Sequence, residues 1–436
     1  QPPDLRVPLR GAGGRPVTPR PYPTLAEATR VWARIGLLSF GGPTGQIALM
    51  HRELVERLRW VSDARFLHAL NYCMVLPGPE AQQLATYIGW LLHGVRGGLA
   101  AGLLFVLPGA LIVLALSMLY VLAAGVPVVE GIFLGIKAAV LVIVVNAVIK
   151  IARRVGQSPV VYAIMAGSFL AIFAFAVPYP LVVVAAAAAG ALLMTAKVDD
   201  AAPVPARPGR LRESLTAAVV WGAIWWAPVL LAALLLGPSH ILTQIGLFFS
   251  QLAVVTFGGA YALLVWLAQA AVEQKAWVTA AEMADGLGLA ETKPGPTILV
   301  TQFVGFLAAW RLPEPFAPMT AAILGAAMTT WVTFAPSFLW IFAGAPYVED
   351  LRHNRRLAAA LQGITAAVVG VILYLAVWFA LHVLFAEVTE RRAFGVRWQV
   401  PEWGTVEPAA AAIAAAALVA VLRFQVGMLP VLAAAG

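Results

Sequence analysis

Charge is what this sequence has least of. Only 11% of its 436 residues are Asp, Glu, Lys or Arg, where a soluble domain carries about a quarter. A water-soluble enzyme is thereby excluded. Cysteine is nearly absent: Cys73 stands alone, and the six histidines are scattered along the chain, so no intrachain disulfide and no spaced metal cluster can form. Neither GxSxG nor HExxH occurs, which removes the usual parts of an intramembrane hydrolase. The sequence calls for no enzyme activity, no cofactor and no metal. An apolar signal-peptide core is missing at the start as well, so residues 1–24, rich in Pro, Gly and Arg, read as a disordered basic tail.

What is present is apolar sequence in long runs: 99–124, 131–149, 159–196, 215–237, 357–386 and 409–422. Each approaches or exceeds the ~20 residues a spanning helix needs. The expected fold class is an all-α polytopic membrane protein. An excess of 29 Lys+Arg over 21 Asp+Glu lies mostly in loops and at the N-terminus. Cytoplasmic loops of membrane proteins carry that excess, so no nucleic-acid partner is needed to explain it. Apolar character lapses at 197–214, KVDDAAPVPARPGRLRES, which reads as a cytoplasmic linker. It divides a first half, 25–196, from a second, 215–436.

The halves are copies. At a constant shift of 217, FGG at 40–42 meets FGG at 257–259, Val55-Glu56 meets Val272-Glu273, Trp60-Val61 meets Trp277-Val278, and PGP at 77–79 meets PGP at 294–296. Twelve of those forty positions are identical without a gap. Further on, Pro108 meets Pro336 and GIKAAV at 135–140 meets GITAAV at 363–368, now at a shift of 228. The second copy therefore carries 228 − 217 = 11 extra residues, placed near 311–319.

Basic residues set the expected topology. Arg52, Arg57, Arg59 and Arg65 fill the loop between FGG and PGP, whereas the second copy has Lys275 with Glu273 and Glu282 there. The two loops are expected to face opposite sides. One span before the second copy, 215–237, would turn it over, giving two halves in inverted topology. The N-terminus then faces the cytoplasm. Arg391, Arg392 and Arg397 fit this plan poorly, because they fall on the outer side.

FGG and PGP are where broken or re-entrant helices should lie. Gly-Gly loosens the backbone and Pro removes an N–H, and both are tolerated at membrane depth only where they line a cavity or pack on protein. In LPGPEAQQ, Gly78 can precede a helix with Pro79 at its start, leaving amides of Glu80, Ala81 and Gln82 to attract an anion. KPGPT would present a second such start from the other side.

These stretches closely resemble the chromate ion transporter family. FGGPTGQIALMHRELVE, then LPGPEAQQLATYIGWLLHGVRGGLAAGLLFVLPG, resembles its first repeat; FGGAYALL, VEQKAWV and KPGPT resemble its second. The resemblance spans about residues 25–430. It implies a bacterial inner-membrane protein with two oppositely oriented halves that expels chromate and confers chromate resistance. The second copy departs in having Lys293 opposite Leu76 and Thr297 opposite Glu80.

The expected substrate site joins both breaks. From the first half it takes Phe40, Gly41, Gly42, Pro77, Gly78, Pro79, Glu80, Gln82 and Gln83; from the second, Phe257, Gly258, Gly259, Lys293, Pro294, Gly295, Pro296 and Thr297. Lys137, deep in an apolar span, is added because a charge there is costly. Glu80 reads either as a helix-start partner or as a carboxyl that is protonated when the anion binds. Cys73 reads as core filler, and residues 27–40 as an amphipathic helix lying partly in the interface. The partners are thus the bilayer and chromate or a sulfate-like oxyanion, with a homodimer left open. A sulfate permease, an anion channel and an intramembrane enzyme remain the alternatives.

Overall fold

The computed structural model of the chain describes residues 23–40, 42–123, 126–152, 158–195, 210–257, 260–344, 355–424, 426 and 428–435. The tail before Pro23, Ala196, residues 197–209 of the expected linker, and Gly41, Gly258 and Gly259 lie outside those residues. Among the described residues the fold is all-α apart from one two-stranded hairpin, and four helices are long and apolar enough to cross a membrane. The chain is a polytopic membrane protein.

The first half comprises α1 (Leu25–Leu38), α2 (Gly42–His51) running into a π-helical turn (Arg52–Arg57), α3 (Asp63–Cys73), α4 (Glu80–Leu122), α5 (Pro127–Ala152), α6 (Pro159–Phe173) and α7 (Tyr179–Leu193). After α8 (Arg210–Leu236) the second half runs α9 (Ile241–Val255), α10 (Ala260–Ala268), a second π-helical turn (Gln269–Gln274), α11 (Ala280–Thr292), a 3₁₀ turn (Thr297–Leu299), α12 (Val300–Arg311), α13 (Pro318–Gly344) and α14 (Arg355–Leu384). Strands β1 (Val388–Ala393) and β2 (Val396–Pro401) pair antiparallel, and α15 (Pro408–Leu422) and α16 (Met428–Ala435) follow.

The duplication extends to single hydrogen bonds. Both π-helical turns fall 217 residues apart, and each is followed by a left-handed residue, Arg59 (φ 54°) and Ala276 (φ 50°). Trp60 N–H donates to Leu54 O at 2.9 Å and Trp277 N–H to Ala271 O at 2.8 Å. Ser62 caps α3 and Thr279 caps α11, each hydroxyl accepting from the amide three residues on. Helix α4 contains a break at His93 and Gly94 that folds 80–92 back on 95–122, with Gly89 against Gly97. Helices α12 and α13 make the same hairpin, with Gly305 against Gly325. The extra residues of the second copy lengthen its tip.

Equivalent helices of the two halves run antiparallel. Phe342 packs on Gly98 and Phe338 on Gly102, so numbers rise along α4 as they fall along α13. Shift 228 makes these the same helix of each repeat. An inverted repeat requires this relation. The ends of the halves are also exchanged: the α6–α7 hairpin packs on α14, and α15 and α16 pack on α5. Small residues allow the approach, for Gly190 meets Ala359 O and Gly363 meets Ala186 O with no room for a Cβ on either.

Three features depart from sequence expectation. The run 159–196 is no single span: VPYP breaks it, and α6 and α7 are 15 residues each, roughly 22 Å long against a hydrocarbon core of about 30 Å. Helix α1 turns its apolar stripe to another helix. Its capping-box start is tied to the α4 break by His93 Nε2 bonding Pro23 O at 2.8 Å, and near its end Gly36 sits on Leu104 O, so it runs alongside α4. Its apolar stripe, Ala28, Trp32 and Ile35, is buried. The third is the β1–β2 hairpin, which carries the basic residues that violate the charge rule. Arg397 is buried there, pairing with Glu273 at 3.1 Å and Glu390 at 3.5 Å, with Nη2 on Ile172 O at 3.2 Å. Arg392 pairs with Glu390 at 2.6 Å. The charges of Arg392 and Arg397 are thus paired within the protein.

Two measurements test this architecture. Cysteines at Ser62 and Thr279, in a Cys73→Ser background, should be labelled by impermeant maleimide from opposite faces of the membrane; labelling of both from one face would refute the inversion. Gly363→Val should push α7 from α14 and destabilise the chain by about 1–3 kcal/mol, seen as a lower melting temperature in detergent.

Candidate substrate site

The two PGP segments are left-handed loops that cross into the opposite repeat. Gly78 has φ +113° and Gly295 φ +88°, a region that only glycine enters without strain. The amide of Gly78 donates to Thr256 O at 2.8 Å, immediately before the second FGG. The amide of Gly295 donates to Ser39 O at 2.8 Å, immediately before the first. Both acceptor residues turn their own hydroxyls back, Ser39 to Ile35 O and Thr256 to Leu252 O, each at 2.6 Å. Four segments separated in sequence thus meet as two symmetric crossings.

At the first crossing, Pro79 precedes α4, which starts at Glu80, and the first intrahelical bond runs from Gln83 N–H to Pro79 O at 3.0 Å. Amides of Glu80, Ala81 and Gln82 precede that bond, so the positive end of the helix faces the loop. Gln82 and Gln83 are buried, and Gln83 Nε2 donates to Pro77 O at 2.6 Å. Ser337 of α13 comes up against Gly78. At the second crossing, Gln46 Nε2 donates to Gly295 O at 2.8 Å and buried Lys293 Nζ to Pro296 O at 2.5 Å. Thr297 opens the 3₁₀ turn that leads into α12, and Gly109 of α4 packs on Pro294.

Because α4 and α13 run antiparallel with Gly102 beside Phe338, Ser337 lies level with residue 103, six residues before Gly109. That separates the crossings by roughly 9 Å along the helix axis. Both lie well inside long helices. Of the expected residues, Phe40 and Phe257 are half-buried beside the crossings, and Gly42 opens α2 with φ +66°.

Lys137 is held elsewhere. Its Nζ lies 3.1 Å from Asp285 Oδ1, whose other oxygen accepts from Tyr120 Oη at 2.8 Å. The Lys137 side chain is 19% exposed and that of Asp285 7%. Helices α4 and α5 of the first repeat are thereby joined to α11 of the second, with Gly288 of α11 fitted against Ile136. Asp285 is the buried partner of Lys137 that sequence reasoning missed. A signal was available: it is the one acid in MADGLGLA, and an ionisable residue in an apolar membrane segment needs a partner. Cys73 is fully buried in the core, as expected.

The crossings can present amide and hydroxyl donors between long apolar helices, an arrangement suited to an oxyanion. Comparison with known proteins agrees. A Chromate transporter family matches residues 26–191 and 243–436, one stretch in each half. A chromate transport protein of Pseudomonas aeruginosa is 34% identical over 81% of this chain and 80% of its own length. One from Cupriavidus metallidurans is 30% identical over 85% of each chain, and a probable chromate transport protein of Synechococcus elongatus is 30% identical over 81% of this chain and 84% of its own. No solved structure matches the chain. With both repeats matched and their crossings in place, the chain belongs to the chromate transporter family.

Proposed function

We propose that this protein carries chromate, a tetrahedral dianion, out of the cell across the bacterial inner membrane, with its N-terminus and the 51–65 loop in the cytoplasm. The observation that carries this reading is the pair of glycine crossings. They put a helix start and buried neutral donors in the middle of an inverted repeat, where transporters of this plan bind substrate. Relatives named for chromate transport supply the anion's identity. Outward movement follows from charge. A dianion leaving a cell that is negative inside gains about 4.6 kcal/mol per 100 mV, twice the ~2.3 of one charge. Membrane potential then suffices as the driving force, and a proton partner is dispensable.

Lys137 enters this reading as a cation away from the crossings, which the anion meets in passage only when Asp285 releases it. While the pair is closed, its two charges offset each other. A sulfate permease is the second reading, because sulfate has the same shape and charge and would meet the same donors.

Two experiments follow. In proteoliposomes, external unlabelled chromate should drive counterflow of labelled chromate with saturation, and sulfate should compete weakly; equal counterflow by sulfate would favour the permease, and unsaturable conductance a channel. Lys137→Gln should reduce membrane abundance, because it strands buried Asp285 at a cost on the order of 3 kcal/mol. Lys137→Gln with Asp285→Asn should restore abundance. Chromate transport by that double variant equal to the parent would show the pair to be structural only.

A further inference from the structure

The two crossings share one symmetry and differ in what surrounds them. At the second, polar groups of the loop are taken up: Ser39 O holds the Gly295 amide, Gln46 the Gly295 carbonyl and Lys293 the Pro296 carbonyl. Gly109 and Leu299 close on it directly. One buried acceptor nearby, Gln302 Oε1, has no partner, while its amide donates to Ala110 O.

At the first crossing the equivalent positions have the opposite character. Shift 228 turns Gly109 into Ser337 and Phe105 into Thr333, and shift 217 relates Leu299 to Gln82. Ser337 Oγ stands 3.5 Å from the point where a Cβ on Gly78 would lie. Gln82, Thr333 and Ser337 are each no more than 2% exposed, yet both Gln82 amide atoms, Thr333 Oγ1 and Ser337 Oγ lack a hydrogen-bond partner. Five other buried hydroxyls in helices or at their ends behave differently, although Ser214 of α8 is also without a partner. Ser39, Thr86, Ser117, Thr256 and Thr329 each return the proton to the carbonyl one turn back. Thr333 and Ser337 are one turn apart on α13 and share a face, and Ser337 sets that face against the Gly78 loop. A buried polar group is retained without a partner where something else is to bond it.

We infer that the oxyanion is held at one crossing only, the first, where Ser337, Thr333 and Gln82 join the Gly78 loop and the start of α4 in a cradle whose donors are neutral, Glu80 contributing its backbone amide. The Gly295 crossing is a structural joint. This deepens the oxyanion-transport reading above and rests on it. Neutral donors suit a transported dianion, since they orient its oxygens without a fixed counter-charge that would retain it. They also explain why α13 of the second repeat must pack on α4 of the first for binding: each supplies part of the cradle.

The test is isothermal titration of the purified full chain with chromate and with sulfate. Ser337→Ala, Thr333→Val and their combination should melt close to the parent but bind chromate at least tenfold more weakly in the combined variant. Gln46→Leu, at the joint, should lower the melting temperature and leave the chromate Kd within twofold. Parental affinity in the combined variant, with the parent binding normally, would overturn this site while leaving oxyanion transport intact. A tenfold loss in Gln46→Leu at unchanged melting temperature would overturn it in favour of the second crossing. Should the combined variant fail to fold, Ser337→Ala alone decides, with a loss of at least threefold expected and none overturning the proposal. A parent that binds neither anion would sink the transport reading and this site together.

Discussion

A backbone amide at the centre of a bilayer has no water to bond, and the structure is organised around satisfying two of them. Gly78 and Gly295 interrupt helices at membrane depth, and each N–H is taken by a carbonyl of the other repeat, Thr256 O or Ser39 O, at 2.8 Å. Neither repeat can complete its own loop. The exchange explains why both motifs occur as a set, because the FGG break supplies a carbonyl with no helical partner and the PGP loop supplies an amide that needs one. It also fixes the relation of the halves, since two bonds that map onto each other by one operation define a pseudo-twofold.

The same exchange recurs on the outside of the bundle. The α6–α7 hairpin of the first half packs on α14 of the second, and α15 and α16 pack on α5. Without a hydrophobic driving force in lipid, helices gain by close backbone approach, and Gly190, Gly363 and Gly370 each sit on a carbonyl of the opposing helix. Helices of 15 residues are too short to be independently stable spans, so their place is secured by this packing and by Arg397, which holds Ile172 O at the tip of the hairpin.

Much of this could be read in the sequence because the duplication preserved the residues whose backbone is unusual. FGG, PGP and the Trp after each π-helical turn recur at a fixed shift, and each marks a place where only a few residue types fit. What was hidden depends on contacts between distant segments. Lys137 was recognisable as a charge at depth, but its partner Asp285 is 148 residues away and belongs to the other repeat. Run 159–196 looked like a single stretch because hydropathy does not register a turn made of apolar residues and proline. Helix α1 looked interfacial because amphipathicity tells which face is buried, not whether lipid or another helix buries it; here α4 does. Arg397 seemed misplaced while Glu273 was unknown as its partner.

Inverted repeats with identical halves would have two orientations of equal energy, one the mirror of the other in role. This chain has broken that equality by substitution at equivalent positions. Lys137 and Asp285 correspond to Thr365 and His68, and Glu273, which holds Arg397, corresponds to Glu56, which meets His51 at 3.2 Å. Exchanging the roles of the halves would bring a threonine and a histidine where the buried ion pair stands. Closing Lys137 on Asp285 is therefore a contribution that one orientation has and the other lacks. The described structure is the one that keeps the pair, and leaving it requires separating two charges in a medium that solvates neither well. The pair stands well away from the first crossing, since Tyr120, which bonds Asp285, lies 17 residues along α4 from the level of Ser337, about 25 Å; its closure therefore weights one orientation of the halves from a distance, without touching an anion held beside Gly78.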